Sequence, residues 1–302
     1  MTSSRTFVRF APRQQLFAGW CGLLLVCMSW RIANGLLGLS LKDERYTYIL
    51  AVPLISGALL YSERDVIFRE TRRCLAMGVP LVVLGLVIFF GSRMRQSLNG
   101  DIAIFTVAMV LLWIGAFVLC FGVTASRRAG FPLLLLLLMI PIPGVALDRV
   151  VMALQAGSAE LAYILFRVLG VPVLRHGMVM SLPGVDIEVA PQCSGVRSTM
   201  ALFIAGAVLS RILLRTGSAR FLAMMCIGPI GMFRNAVRIV SISWLGVYVN
   251  RDFFAGSLHR QGGIPFSLVG FAVLMPLMWF LRRWELRAPG VRGGIERTAS
   301  SL

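Results

Sequence analysis

Uncharged runs approaching 20 residues recur along the chain, and the arginines gather in the short stretches between them. About 20 apolar residues, wound as a helix, match the hydrocarbon thickness of a bilayer. The pattern therefore predicts membrane spans at about 16–41, 46–61, 75–91, 102–123, 131–143, 196–214, 221–249 and 264–281. The second and fifth are short and lean on their neighbours. The segment 145–169 is also apolar, but it carries Asp148, Arg149, Gln155, Glu160 and Arg167. That mixture predicts an amphipathic helix, interfacial or partly inserted. Between 170 and 192 the period changes to two. Val185, Ile187 and Val189 alternate with Asp186 and Glu188, and Met178 and Met180 alternate with Val179 and Ser181 across Pro183-Gly184. This is a β-hairpin with its turn residues in place. The fold class read from the pattern is an all-α integral membrane protein of about eight transmembrane helices, with a small extracytoplasmic amphipathic helix and a β-hairpin. Residues 1–284 form a single polytopic membrane domain. The segment 285–302, rich in Arg, Gly and Ser, is expected to be a disordered cytoplasmic tail.

Composition agrees with this reading. The chain has 302 residues, 58% of them hydrophobic and only 14% charged, and a mean hydropathy of +0.82. A soluble domain of this size needs no such apolar surface. The net charge of +17 would suggest nucleic acid in a soluble protein. Here the arginines stand at the ends of apolar runs, so they set orientation in the membrane, and no nucleic-acid partner is expected. With eight spans and the amphipathic helix left outside, 17 of the 30 basic residues face the cytoplasm, ten face out, and Arg31, Arg234 and Arg238 lie within spans. Both termini are then cytoplasmic, in a cell inner membrane. The first span follows Arg5, Arg9 and Arg13 and runs too long for a cleaved leader. Six cysteines with no CxxC pair indicate no metal site, and no cofactor is implied.

Three residues stand out chemically. Cys193 is the only cysteine this topology places outside, in Pro191-Gln192-Cys193-Ser194-Gly195, where the hairpin chain turns into the sixth span. Free backbone N–H groups at a helix N-terminus favour a thiolate, the form a nucleophile requires. Arg197, one turn on, adds positive charge. Arg238 lies within the seventh span, where an arginine costs about 3 kcal/mol unless it faces a polar partner or cavity. Arg234, Asn235 and Ser241 share its helix face. His259 precedes the last span and is predicted at the same membrane face as Cys193 and Arg238. A thiol, an imidazole and a guanidinium are the minimal set for acyl transfer: nucleophile, general base and acid, and stabiliser of the developing oxyanion.

The Cys193-Ser194-Gly195 block with Arg197-Ser198, the Asn235-Ala236-Val237-Arg238-Ile239 block, and His259 before the last span together resemble the signature blocks of exosortases and archaeosortases. Ile140-Pro141-Ile142-Pro143 resembles the family's Pro-x-Pro element, so the likeness runs from about Tyr46 to Leu281. The resemblance implies a cysteine transpeptidase or endopeptidase whose catalytic part covers about 131–284. Its partners would be exported proteins ending in a short motif of PEP-CTERM type, a transmembrane helix and a basic cluster. It would cut at the motif through a thioester and pass the new carboxyl end to an envelope or polysaccharide acceptor. By position, Cys193 would be the nucleophile, His259 the base and acid, and Arg238 the stabiliser, with Ser194, Gly195, Arg197, Arg234 and Asn235 in support. A multi-span transporter or a non-catalytic export assembly factor is the alternative, since buried arginines can also line a path. No inverted repeat is visible, and the predicted spans hold no acidic residue.

Overall fold

The computed structural model describes residues 12, 16–17, 19–20, 38–41, 43–69, 74–93, 98–189, 195–254 and 263–287. Most of the predicted first span and the 285–302 tail beyond 287 lie outside the described residues, as do Cys193, Ser194 and His259. The chain forms two compact units, Met1–Pro143 and Gly144–Leu302.

In the first unit, α1 (Tyr48–Ser62) is followed by α2 (Leu75–Arg93) and α3 (Leu98–Arg128), which pair as a helical hairpin. Small residues let their backbones approach closely, as membrane helices require when water supplies no driving force between them. A Cβ added at Gly78 would lie 2.5 Å from Leu119, one at Gly85 2.9 Å from Leu112, and one at Gly115 2.8 Å from Val82. After a break at Gly122, the chain continues into α4 (Gly130–Leu135) and a 3-10 turn, Leu136–Met139. One side chain ties this segment to α1, and a second, just before α1, reaches the chain just after it. Ser56 Oγ donates to the Pro132 carbonyl at 2.8 Å, and the Tyr46 hydroxyl donates to the Ile142 carbonyl at 3.1 Å.

The second unit is built around α7 (Gly217–Tyr248), against which α5 (Gly144–Val168), α6 (Val196–Leu213) and α8 (Gly263–Arg287) pack. Glycines again set the contacts. Gly231 faces Thr199 and Gly206 faces Ile227, so α6 runs antiparallel to α7. Leu202 and Arg234 meet Gly270, and Leu274 approaches Gly206, so α8 runs alongside α6 in the same direction. At one end Glu285 of α8, 4% exposed, accepts from the backbone N–H groups of Arg215 and Thr216 and from the Thr216 hydroxyl. This carboxylate closes the turn from α6 into α7, whose N-cap is Thr216. Arg211, Arg215, Arg220, Arg282 and Arg283 all belong to that end.

Helix α5 buries one stripe, Leu147, Val151, Leu154, Gln155, Ser158, Ala159, Ala162 and Phe166, at the three- and four-residue spacing of an amphipathic helix. Its 25 residues, about 37 Å at 1.5 Å each, are long and apolar enough to cross a membrane. Gly157 faces Met232, and Ala159, Ala162 and Phe166 share a cluster with Ala236, Ile239 and Val240, so α5 runs beside α7 in the same direction. That is the course of a crossing helix rather than of one lying flat. Among the described residues, α2, α3, α5, α6, α7 and α8 meet the length and composition of a span, and the Tyr48–Ser62 and Gly130–Met139 helices are shorter. The chain is a multi-pass, all-α membrane protein with one small sheet.

The expected hairpin is present as β2 (Val179–Leu182) and β3 (Val185–Glu188), with Met180 opposite Ile187 and Leu182 opposite Val185. Gly184, at φ 79°, takes the left-handed turn position after Pro183. A third strand, β1 (Leu174–His176), pairs antiparallel with β2. Met180, Leu182 and Val189 seat the sheet on Phe166 of α5 and on Ala236, Ile239 and Val240 of α7.

Candidate active site

The chain enters the candidate site from β3 and leaves it along α6, and both flanks rest on one stretch of α7. On the entering side, Val189 is 1% exposed and belongs to the cluster that holds Ala236, Ile239 and Val240. Its N–H donates to the Met178 carbonyl at 3.0 Å, and its own carbonyl accepts from the Gln155 side-chain amide of α5. On the leaving side, Gly195 is the N-cap of α6 at φ 72°, a left-handed conformation that favours glycine. A Cβ there would lie 3.1 Å from Cγ and Oδ1 of Asn235 and 3.2 Å from Nη2 of Arg234. The Gly195 carbonyl accepts from the Thr199 N–H at 2.9 Å, the Thr199 hydroxyl at 2.9 Å and the Ser198 hydroxyl at 3.0 Å. These bonds fix where α6 begins.

Cys193 and Ser194 lie between these two anchors in sequence and outside the described residues. His259 also lies outside the described residues, four positions before Gly263, where α8 begins.

The residues of α7 fall into two layers. Arg234 is 2% exposed and Asn235 is fully buried, while Arg238, one turn on, is half-buried. The Arg234 side chain passes Gly270 of α8, where a Cβ would lie 3.4 Å from its Cδ, before its guanidinium reaches Gly195. Among the described residues its Nε has no hydrogen-bond partner. Arg234 stands 17 residues into α7, about 26 Å from the basic end at 1.5 Å per residue. Arg197 sits in the first turn of α6 and is exposed.

The structure thus brings Gly195, Arg234 and Asn235 together, with Arg238 on the next turn and Arg197 at the rim. Sequence reasoning missed Gln155 as the residue that ties the strand end to α5. A buried glutamine in an otherwise apolar helical stripe was the available signal. Among the described residues no group of His, Cys, Asp and Glu side chains has the arrangement to hold a metal ion. Chemically the site offers buried positive charge and the N-terminal end of α6 to a group that becomes negative beside them.

No curated protein and no solved structure matches the chain. A family model described as transmembrane exosortase matches residues 40–279, from before α1 to the last turns of α8. With that match over most of its length, the chain belongs to the transmembrane exosortases, a family of membrane cysteine proteases and transpeptidases.

Proposed function

We propose that this chain is an exosortase that cleaves the C-terminal sorting tail of exported proteins with Cys193 as nucleophile, His259 as proton carrier and Arg238 as stabiliser of the transition state. The observation that carries the reading is the anchoring of both flanks of Cys193. Val189 and Gly195 rest on the one stretch of α7 that holds Arg234, Asn235 and Arg238. A short loop held at both ends can present its thiol at a helix N-terminus without a large ordering cost.

The Cys193 thiolate attacks the scissile carbonyl carbon, and the electron pair moves to the oxygen, whose charge the Arg238 guanidinium meets. Collapse of this intermediate breaks the C–N bond. The tail departs as an amine after taking a proton from the His259 imidazolium, and a thioester remains. An acceptor amine or hydroxyl, deprotonated by His259, then attacks the thioester and releases the thiolate. The substrate ends in a motif of PEP-CTERM type, a hydrophobic helix and a basic cluster, and the acceptor belongs to the envelope or to a polysaccharide. A hydrophobic, basic-ended tail would cross the membrane with its basic end inside, in the same sense as the enzyme's own helices, which leaves its motif on the outer side.

The site then faces the extracytoplasmic side of an inner membrane, with both termini in the cytoplasm. Helix α5 preserves this orientation. If α5 crosses and the short Gly130–Met139 segment does not, one crossing still separates Arg128 from Val196, so the basic end of α6, α7 and α8 stays inside.

The test is co-expression with a tailed substrate. Cys193→Ala should abolish cleavage, and His259→Ala should stop acyl-enzyme formation or turnover. Arg238→Lys keeps the charge but loses the planar fork, and should fail as well. Normal processing by Arg238→Lys, with Arg238→Ala merely unstable, would make Arg238 a structural cation.

A further inference from the structure

Burying an arginine is costly unless a carboxylate or a set of acceptors meets it. Arg234 is 2% exposed, and among the described residues its Nε has no hydrogen-bond partner. From Gly144 to Arg287 the chain holds six carboxylates, Asp148, Glu160, Asp186, Glu188, Asp252 and Glu285. Glu160 pairs with Arg175, Glu285 closes the basic end, and the other four are exposed. None of them meets Arg234. The direction of the side chain matters as much. Past Gly270 and Leu202 its guanidinium reaches Gly195, where a Cβ would lie 3.2 Å from Nη2. Nη2 and Nε stand on one edge of the guanidinium, the two-donor edge whose spacing matches the two oxygens of a carboxylate. This edge comes to the start of α6, an 18-residue helix whose glycine N-cap offers no side chain to the first N–H groups. Uncapped N–H groups and the positive end of the helix dipole draw a negative group to the same place. We propose that Arg234 and the N-terminus of α6 form a carboxylate-binding site that receives a carboxylate of the substrate, either an acidic side chain of its motif or the carboxyl end that cleavage creates.

The site is built from described residues alone, and only the naming of its ligand rests on the reading of the chain as a tail-cleaving enzyme. Gly195 is what leaves it open, since any larger residue would place a Cβ against the guanidinium edge. Positive charge also leads toward it from the surface. Arg197 is exposed in the first turn of α6, and Arg238 is half-buried one turn farther along α7, so an anion meets rising positive potential on its way in. Helix α5 contributes the neutral Gln155 to this region, and the described part of α8 brings no charged side chain near Gly270. A bound carboxylate would therefore lie between a permanent cation and a helix N-terminus in surroundings that water screens little.

The experiment is thermal unfolding of the full-length protein in detergent, titrated with sodium acetate against sodium chloride of equal ionic strength and against acetamide. A ligand that binds the folded state raises the Tm in a saturating way. Acetate should do so beyond chloride, and acetamide should not. Arg234→Gln should weaken the apparent acetate affinity by about tenfold or more, and Arg282→Gln, an equal loss of charge at the exposed basic end, should keep it. If Arg234→Gln does not fold, Arg234→Met fills the slot without burying an amide and is read in the same way. No acetate-specific rise in the wild type overturns the proposal without any variant, and so does an undiminished rise in a folded Arg234 variant. Two further arms tell the sources apart. If the ligand is a motif side chain, changing that acid to its amide in a tailed substrate should slow processing about tenfold or more in the wild type, while Arg234→Gln treats both substrates alike. If it is the new carboxyl end, acid and amide substrates are cleaved alike, and the cleaved product raises the Tm where its carboxamide form does not. A substrate indifferent to the amide, together with a product that binds no better than its carboxamide, overturns the assignment of the ligand. The acetate titration needs no processing, so failure of the functional reading is seen separately, as a Cys193→Ala protein that still cleaves a tailed substrate.

Discussion

Replacing Gly195 by alanine tests the geometry of the site at the one backbone position on which it turns. Two costs are expected. Any L-residue in the left-handed conformation at φ 72° loses about 1–2 kcal/mol. The new Cβ would also meet Asn235 at 3.1 Å and Arg234 at 3.2 Å. Neither neighbour can swing into solvent, since Asn235 is fully buried and Arg234 nearly so. Crowding of this kind costs about 1–3 kcal/mol, which brings the sum to about 2–5 kcal/mol. Gly184→Ala is the matched control. Its φ of 79° carries the same backbone cost, but nothing lies within 4 Å of its Cβ. The stiffening of the unfolded chain is common to both variants and cancels in the comparison. Equilibrium unfolding in mixed micelles of rising denaturing-detergent fraction reads the difference, and substrate processing is followed in parallel. Gly195→Ala should be the less stable by about 1–3 kcal/mol, with processing reduced at least tenfold, while Gly184→Ala processes nearly normally. Equal destabilisation with normal processing in both would refute the close approach of the α6 N-cap to Arg234 and Asn235.

Other outcomes follow from single contacts. Glu285→Ala strips three donors at the α6–α7 turn of their acceptor and should cost about 1–3 kcal/mol, read by the same unfolding curves. Glu285→Gln, which keeps one acceptor oxygen, should lose less. Gln155→Leu removes the bond to the Val189 carbonyl. It should cost about 1 kcal/mol of stability but lower processing severalfold, because the strand end that feeds Cys193 loses its tie to α5. Equal loss in both readouts would make Gln155 a packing residue alone. Cysteine labelling from either side of the membrane should find position 127 and the C-terminal tail inside, and positions 176 and 259 outside. A cytoplasmic residue 259 would remove His259 from the site.

Much of this architecture was legible because each element carries its own period. The β2–β3 pair followed from Met180, Ile187 and Val189 alternating with polar residues around Pro183-Gly184, and both registers and turn agree with it. Strand β1 was not legible, since Leu174-Arg175-His176 is too short to show alternation and is specified by its partner β2. The buried stripe of α5 was readable as amphipathicity. That its polar face accompanies a helix with the course of a span depends on Gly157 meeting Met232, a tertiary contact with no local sign. The site shows the same division. Arg234, Asn235 and Arg238 were identifiable as polar groups on one face of an apolar helix. Which arginine is buried is decided by Gly195 and Gly270, small residues on two other helices that leave room for the Arg234 side chain. Spacing along α7 alone could not rank the pair.

The central claim is that Cys193 carries the cleaved substrate as a thioester. Its most direct test is to mix the intact protein with a tailed substrate, quench in acid and search for a substrate-derived mass on the Cys193 peptide. The expected result is an adduct on that peptide alone, released by neutral hydroxylamine, absent from Cys193→Ala and accumulating when no acceptor is supplied. A Cys193→Ala protein that still cleaves the tail, or an adduct carried by another residue, would contradict it.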